Sequence, residues 1–289
     1  MIESGERFDS ESIQTPEQEQ VPGRVIVTGG TEGIGRAVTE GLVGKGSEIA
    51  LCARNPEKLA EISTKEHIHA YRTDLADRHL AQAFTRQALS DLGGVDCLIL
   101  NAAITGIEKP GETAEQKRER ELEVFKINQA ANLIVANEAL SSLEERRGLL
   151  VFITSGMAEM EQPPQGVEAY AHSKQKMQQH FQELAVEHPE LKVLIINPGM
   201  VDTNMHQEAR ESGLPELAKR TRDAEESGLL FDPTDVGRVI TKIITHRADL
   251  NPETSTYSKP VESGVVINLT TEHIASVQND QGNLIPQEA

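Results

Sequence analysis

Cysteine, basic charge and long apolar runs are all scarce in this chain, and each scarcity excludes something. Only Cys52 and Cys97 occur in 289 residues, so no disulfide framework can organise the fold. No run of about 18 apolar residues exists, so no membrane-spanning helix is predicted. The first twenty residues hold no apolar core of a secretory signal. Glu3, Glu6, Asp9, Glu11, Glu17 and Glu19 stand there against Arg7 alone. A reducing cytoplasm is the simplest compartment. Lys and Arg total 28 against 46 Asp and Glu, a net charge of −18. That field repels phosphate backbones and anionic lipid surfaces, so neither nucleic acid nor a membrane is the expected partner.

What is present is an alternation. Residues 1–21 read as a flexible acidic arm. Order begins at the β-branched run Arg24–Thr28, which stops at Gly29-Gly30. A helix follows from Gly33, then strands near 48–52, 68–72, 95–100, 149–154, 193–196 and 265–269. Helical patterns separate them at 56 onward, 76–92, 113–146, 167–187 and 233–247. In the second of these, Leu80, Phe84, Ala88 and Leu92 recur at steps of four. Residues 200–231 have a helical pattern without a clear core face, and 271–289 read as a polar tail. Strand and helix in alternation predict one Rossmann-type, doubly wound α/β domain over 22–270. Its sheet is parallel, and its ligand crevice lies at the strands' carboxyl ends. In that order Cys52 and Cys97 fall on strands flanking the first, too far apart to pair.

The first strand runs into Thr28-Gly29-Gly30-Thr31-Glu32-Gly33-Ile34-Gly35. Gly29 permits a tight turn, Gly33 a close backbone approach to a pyrophosphate, and Gly35 close packing of helix on strand. A strand before the turn and a helix after it are the context that makes a dinucleotide site credible. The second strand ends Cys52-Ala53-Arg54, with no acidic residue for a ribose 2′-hydroxyl. Arg54 offers a partner for a 2′-phosphate, which favours NADP(H) over NAD(H), although Glu32 cuts the other way. Tyr170 and Lys174 share a helix face at i, i+4, and an ammonium there favours phenolate, making a proton donor for a carbonyl oxygen. His172 points off that face. His67, His69 and His79 lack metal-ligand spacing, so no metal site is expected.

Ser155 ends a strand before Tyr170, Asn128 lies in the long helix, Asn101-Ala102-Ala103 ends the fourth strand and Asn197-Pro198-Gly199 the sixth. In this order the motifs resemble the short-chain dehydrogenase/reductase family over about residues 24–270. Ala53-Arg54 and the 197–205 segment are similar, more weakly, to sepiapterin- and benzil-reductase-like carbonyl reductases. The resemblance implies hydride exchange between a nicotinamide and a small carbonyl or alcohol. Tyr170 would be the general acid/base, Lys174 its helper on the nicotinamide ribose, Ser155 the holder of the substrate oxygen, and Asn128 the support of a proton relay to Lys174. It implies cofactor contacts from Gly29, Thr31, Gly33, Ile34, Gly35, Arg54, Asp74, Leu75, Asn101, Tyr170, Lys174, Pro198, Gly199, Val201 and Thr203, with 200–231 as substrate loop. The Ser155–Tyr170 interval, which includes Pro163-Pro164, is longer than the family's usual one, and Ala103 replaces a glycine. A homodimer or homotetramer is expected, with Val135, Ala139, Leu140, Leu143, Met177, Phe181 and Leu184 as contacts. The alternative is a cofactor-binding regulator on the same fold without turnover. A sugar-nucleotide epimerase would need a larger C-terminal part.

Overall fold

The computed structural model describes residues 19–246, 248–250, 257–260 and 262–282. Most of the expected acidic arm and the last part of the expected tail lie outside the described residues. Seven strands build the central sheet: β1 (Arg24–Thr28), β2 (Glu48–Ala53), β3 (Ile68–Arg72), β4 (Cys97–Leu100), β5 (Leu149–Ile153), β6 (Lys192–Asn197) and β7 (Val266–Asn268). They form one sheet in the order β3-β2-β1-β4-β5-β6-β7, every neighbouring pair parallel. The order reverses between β1 and β4, which opens a crevice at their carboxyl ends. The central strands are buried at every position of β4 and β5, the signature of a sheet covered on both faces.

Helices supply that cover. On one face lie α1 (Gly33–Val43) and α9 (Pro233–His246), the most intimately packed helix pair. A Cβ added to Gly237 would fall 2.3 Å from the Ala37 Cβ, so this crossing depends on a glycine. On the other face lie α3 (Arg78–Leu92), α5 (Asn132–Glu145) and α6 (Glu168–Glu187), filled by Phe84, Val135, Phe152 and Phe181. Asp77 caps α3 through its carboxylate, and Gly93 ends it in the left-handed conformation, the paired start and stop signals of a helix. Helix α2 (Pro56–Ile62) begins at its proline, capped by Asn55. Cys52 and Cys97 flank β1 on β2 and β4 and point into opposite core faces, which separates them further than strand spacing alone. Burial pushes the Cys52 thiol up to about 12.

Four expectations change, and the helical pattern of 200–231 gains its detail. Leu80 is 47% exposed, because α3 turns Ala81, Phe84, Thr85 and Ala88 inward instead. The tract 113–146 is not one regular helix: α4 (Ala114–Phe125) and α5 are joined by a wider π-helical turn, Lys126–Ala131. Segment 200–231 holds α7 (Asn204–Glu211) and α8 (Pro215–Glu226), bracketed by a two-residue parallel pairing of Met200–Val201 with Leu230–Phe231. Its weak core face is explained by what it covers, a cleft rather than the sheet. The expected polar tail starts as helix α10 (Thr271–Gly282), where Ile274 and Val277 are buried in the core that α9 also fills. Finally, Val135, Ala139, Leu143, Met177, Phe181 and Leu184 are buried within this one chain, so their apolar surface is used against the sheet and is not free for a second subunit. Leu140 is only partly buried, packed against the same core.

Candidate active site

A cleft of about 940 Å³ runs across the carboxyl ends of β1 to β6 and under the α7–α8 segment. Its floor is the glycine turn. Gly29 (φ +68°) and Gly33 (φ +50°) occupy the left-handed region that favours glycine. A Cβ on Gly35 would stand 2.2 Å from the Gly29 carbonyl oxygen and 2.5 Å from Asn101 Nδ2, so helix α1 can reach the strand only with glycine there. The first turn of α1 carries no acidic residue, and Glu32 at its N-cap makes no side-chain cap. Backbone N–H groups of that turn are therefore left for an anion, with the helix dipole behind them. Thr31, Gly33 and Ile34 line this part of the cleft. Gly35 and Asn128 do not; both act from behind the wall.

Asn101 ties the fourth strand to the turn. Its Nδ2 donates to the carbonyls of Thr28 and Gly29 at 3.2 and 3.0 Å, and its N–H to Thr28 Oγ1 at 3.0 Å. Asp74 and Leu75 after β3, and Pro198, Gly199, Val201 and Thr203 after β6, all line the cleft, as does Arg54 after β2. The Thr203 methyl faces Gly33. Arg54 is exposed, 3.7 Å from Glu123. Two cations the sequence reading passed over stand at the same end. Arg36 pairs with Glu40 and Glu61 at 3.0 and 2.7 Å, and Lys58 pairs with Glu32. Their signal was available: Arg36 directly follows Gly35, and Lys58 sits in the first turn of the helix after β2. Glu32 also accepts from Asn204 Nδ2 at 2.7 Å, joining the glycine turn to α7.

Ser155, Tyr170 and Lys174 converge in the middle of the cleft. Ser155 lies two residues after β5 and accepts from Met157 N–H at 3.3 Å, capping a short turn, Gly156–Glu159, at the start of the longer interval before α6. Tyr170 is 7% exposed and Lys174 3% exposed. Burial raises the Tyr170 phenol above its ordinary range, offset in part by a hydrogen bond with Ser155. Burial pushes the Lys174 ammonium down to about 7. Its Nζ donates to the Ile153 carbonyl at 2.7 Å and lies 5.0 Å from the Phe152 ring centre and 5.8 Å from that of Tyr170. The expectation that the nearby ammonium lowers the phenol is therefore corrected: loss of solvation raises Tyr170 and lowers Lys174, and the one opposing influence on the phenol is the hydrogen bond with Ser155.

The π-helical turn explains Asn128. Its Oδ1 accepts from Ile104 N–H at 2.9 Å, while its Nδ2 donates to the Ile104 carbonyl at 2.9 Å and to Ser173 Oγ at 3.0 Å. Ser173 in turn donates to the Tyr170 carbonyl at 2.6 Å. Asn132 Nδ2 takes the Asn128 carbonyl at 2.7 Å. Asn128 thus fastens the loop after β4 to the first turn of α6, and none of its direct hydrogen bonds reaches Lys174. Apart from the cleft, Glu144, His188 and Glu190 converge, with His188 Nδ1 2.6 Å from Glu144; none of the three lines the cleft.

The sequence pattern of the short chain dehydrogenase family matches residues 23–213. The chain belongs to that family. Among its relatives, the 2,3-dihydro-2,3-dihydroxybenzoate dehydrogenase of Bacillus subtilis (strain 168) is 25% identical over 238 residues, covering 77% of this chain and 89% of the relative. A blue fluorescent protein from a metagenomic library, solved with NADPH, superposes with a TM-score of 0.69 at 23% identity, covering 88% of this chain and 99% of that one. The 3-ketoacyl-(acyl-carrier-protein) reductase of Brucella melitensis, solved with NADH, gives 0.68 at 18% identity, covering 86% and 98%. At such identities the two structures establish the fold. This short-chain dehydrogenase is an oxidoreductase, and no helix among its described residues is long and apolar enough to cross a membrane.

Proposed function

We propose that this protein is an NADP(H)-dependent reductase of small carbonyl compounds. The observation that carries the reading is the convergence of the half-buried Ser155 with the buried Tyr170 and Lys174, beside a glycine cradle whose uncapped helix N-terminus fits a pyrophosphate. The cofactor, when bound, supplies the hydride. The chain's own residues do the rest. Ser155 holds the carbonyl oxygen. Tyr170 donates its proton to that oxygen as negative charge develops there, and Lys174, one turn along, stabilises the phenolate left behind. Asn128 keeps the first turn of α6 in place through Ser173. Ile153, Met157 and Val167 give the substrate end apolar walls beside the polar Ser155.

Ala53 at the end of β2, with Arg36, Arg54 and Lys58 around it, supports NADP(H) over NAD(H). Glu32 supports the opposite choice, tempered by its pairing with Lys58. Self-association belongs to the same reading. With the core-facing stripes used within the subunit, the half-exposed Leu122 and Phe125 of α4 are the better contact candidates. The deciding assay is oxidation of NADPH and NADH against a panel of aldehydes, ketones and dicarbonyls, with Tyr170→Phe as control. The variant is expected to lose about 10²–10⁴ in turnover while keeping the fold and cofactor affinity. Near-normal rates in Tyr170→Phe overturn the mechanism.

A further inference from the structure

The α7–α8 segment brings a cation to the substrate end of the cleft. Arg220 of α8 lines the cleft, although the helix offers it a carboxylate elsewhere: Glu216 lies one turn before it, the favoured acidic-to-basic arrangement. Yet Arg220 makes no ion pair with any carboxylate among the described residues. Several charged residues around it are engaged. Lys219 holds Asp223 at 2.6 Å, Arg210 holds Glu225 at 2.8 Å and approaches Asp202 at 3.9 Å, and Glu208 accepts from Thr105 at 3.1 Å. At the other end of the same cleft, Arg36, Arg54 and Lys58 each have a carboxylate partner. Arg220 is exposed at the cleft, and among the described residues of a chain of net charge −18 its guanidinium has no carboxylate partner, which leaves it available to an anion from solution. A second observation comes from α7. His206 also lines the cleft, is 8% exposed, and leaves its buried Nε2 without a hydrogen-bond partner. A buried polar atom with no partner is costly unless something else supplies one.

We infer that the substrate of this reductase carries a carboxylate, bound at the α7–α8 side of the cleft by the Arg220 guanidinium. The inference rests on the carbonyl-reductase reading above. A carboxylate fits better than a phosphate monoester: a single guanidinium balances one negative charge with a bidentate fork, whereas a phosphate ester brings about −1.5 to −2. The remaining wall at that end, with Val167, Ala209 and Leu217, suits an apolar body between the carbonyl and the acid group. The acidic surface elsewhere repels anions, so Arg220 also marks the point where an anionic substrate can enter.

The test uses the full chain with whichever nicotinamide supports turnover. The substrates are carbonyl compounds offered as free acid and as methyl ester: para-carboxybenzaldehyde, an aliphatic oxo acid and a cyclic oxo acid. The wild type is expected to prefer acid over ester in kcat/KM for at least one pair. Arg220→Ala should lower that acid-over-ester ratio by about tenfold or more, chiefly through KM, with Arg220→Lys recovering part of it and Arg220→Glu lowering it further. Acid and ester used equally by the wild type, or a ratio unmoved in all three variants, overturns the inference and leaves the reductase reading standing. No turnover of any carbonyl, acid or ester, overturns both.

Discussion

Lys174→Met should change how stability depends on pH, and the structure sets the size. The Lys174 ammonium is buried and its folded pKa lies near 7, against 10.5 for the ordinary group. Below about 7 both folded and unfolded chains carry the proton, and the folded state bears the full cost of burying the charge. Between about 7 and 10.5 the unfolded chain binds the proton and the folded chain does not, so stability rises with pH, by at most about 1.4 kcal/mol per pH unit. From pH 7 to 9 the gain integrates to about 2 kcal/mol for this one group. Cys52, whose thiol is raised by burial, begins to act in the opposite sense only near its unfolded value of 9.0, so the window chosen isolates the lysine. Methionine keeps the length and the packing over Phe152 while removing the titration. Urea unfolding of cofactor-free protein at pH 7 and pH 9 should therefore show wild type gaining about 2 kcal/mol relative to Lys174→Met. A difference between the two proteins that stays constant across the window refutes the claim that burial has stripped the ammonium of its solvation.

The remaining predictions concern positions around the cleft. Gly35→Ala forces a Cβ to 2.2 Å from the Gly29 carbonyl, so the turn must shift; a loss of about 1–3 kcal/mol in stability and a large rise in cofactor Kd are expected, read by denaturation and fluorescence titration. Asn128→Ala removes the bonds to Ile104 and Ser173; it should cost about 1–3 kcal/mol for the buried groups left unpaired and lower kcat more than cofactor affinity, whereas unchanged stability would mean that water replaces the amide. Arg54→Ala should weaken NADPH more than NADH, and equal losses would remove Arg54 from any role with a 2′-phosphate. Glu32→Ala frees Lys58 and Asn204, so NADPH binding should tighten and α7 should loosen, the latter visible as faster amide exchange in residues 204–211.

The central sheet was legible in the sequence because its cause is local. Runs such as Cys97–Leu100 and Leu149–Ile153, short, apolar at every position and bounded by polar or glycine positions, fit a strand covered on both faces, and Gly29, Gly33 and Gly35 fall where a strand-to-helix turn needs missing side chains. The convergence of Ser155, Tyr170 and Lys174 followed from the same alternation, since each sits at or after a strand's carboxyl end. Sequence pattern failed where neighbours distant in the chain set the outcome. Whether α5 and α6 had apolar surface to spare depended on how much the sheet would cover, and it covers nearly all of it. The π-helical turn at 126–131 gives no local signal; within it Asn128 bonds Ile104 and Ser173 at once, partners that only the tertiary fold brings to it. Lys174 looked from its spacing like a charge acting on Tyr170, but only the packed structure shows both groups losing their water together. Residues 200–231 carried no core stripe because their inner face meets a cleft. That Arg220 pairs with no carboxylate among the described residues, with Glu216 one turn away, is visible only in the folded chain, because ion pairing across helices is decided by tertiary geometry and not by spacing along one of them.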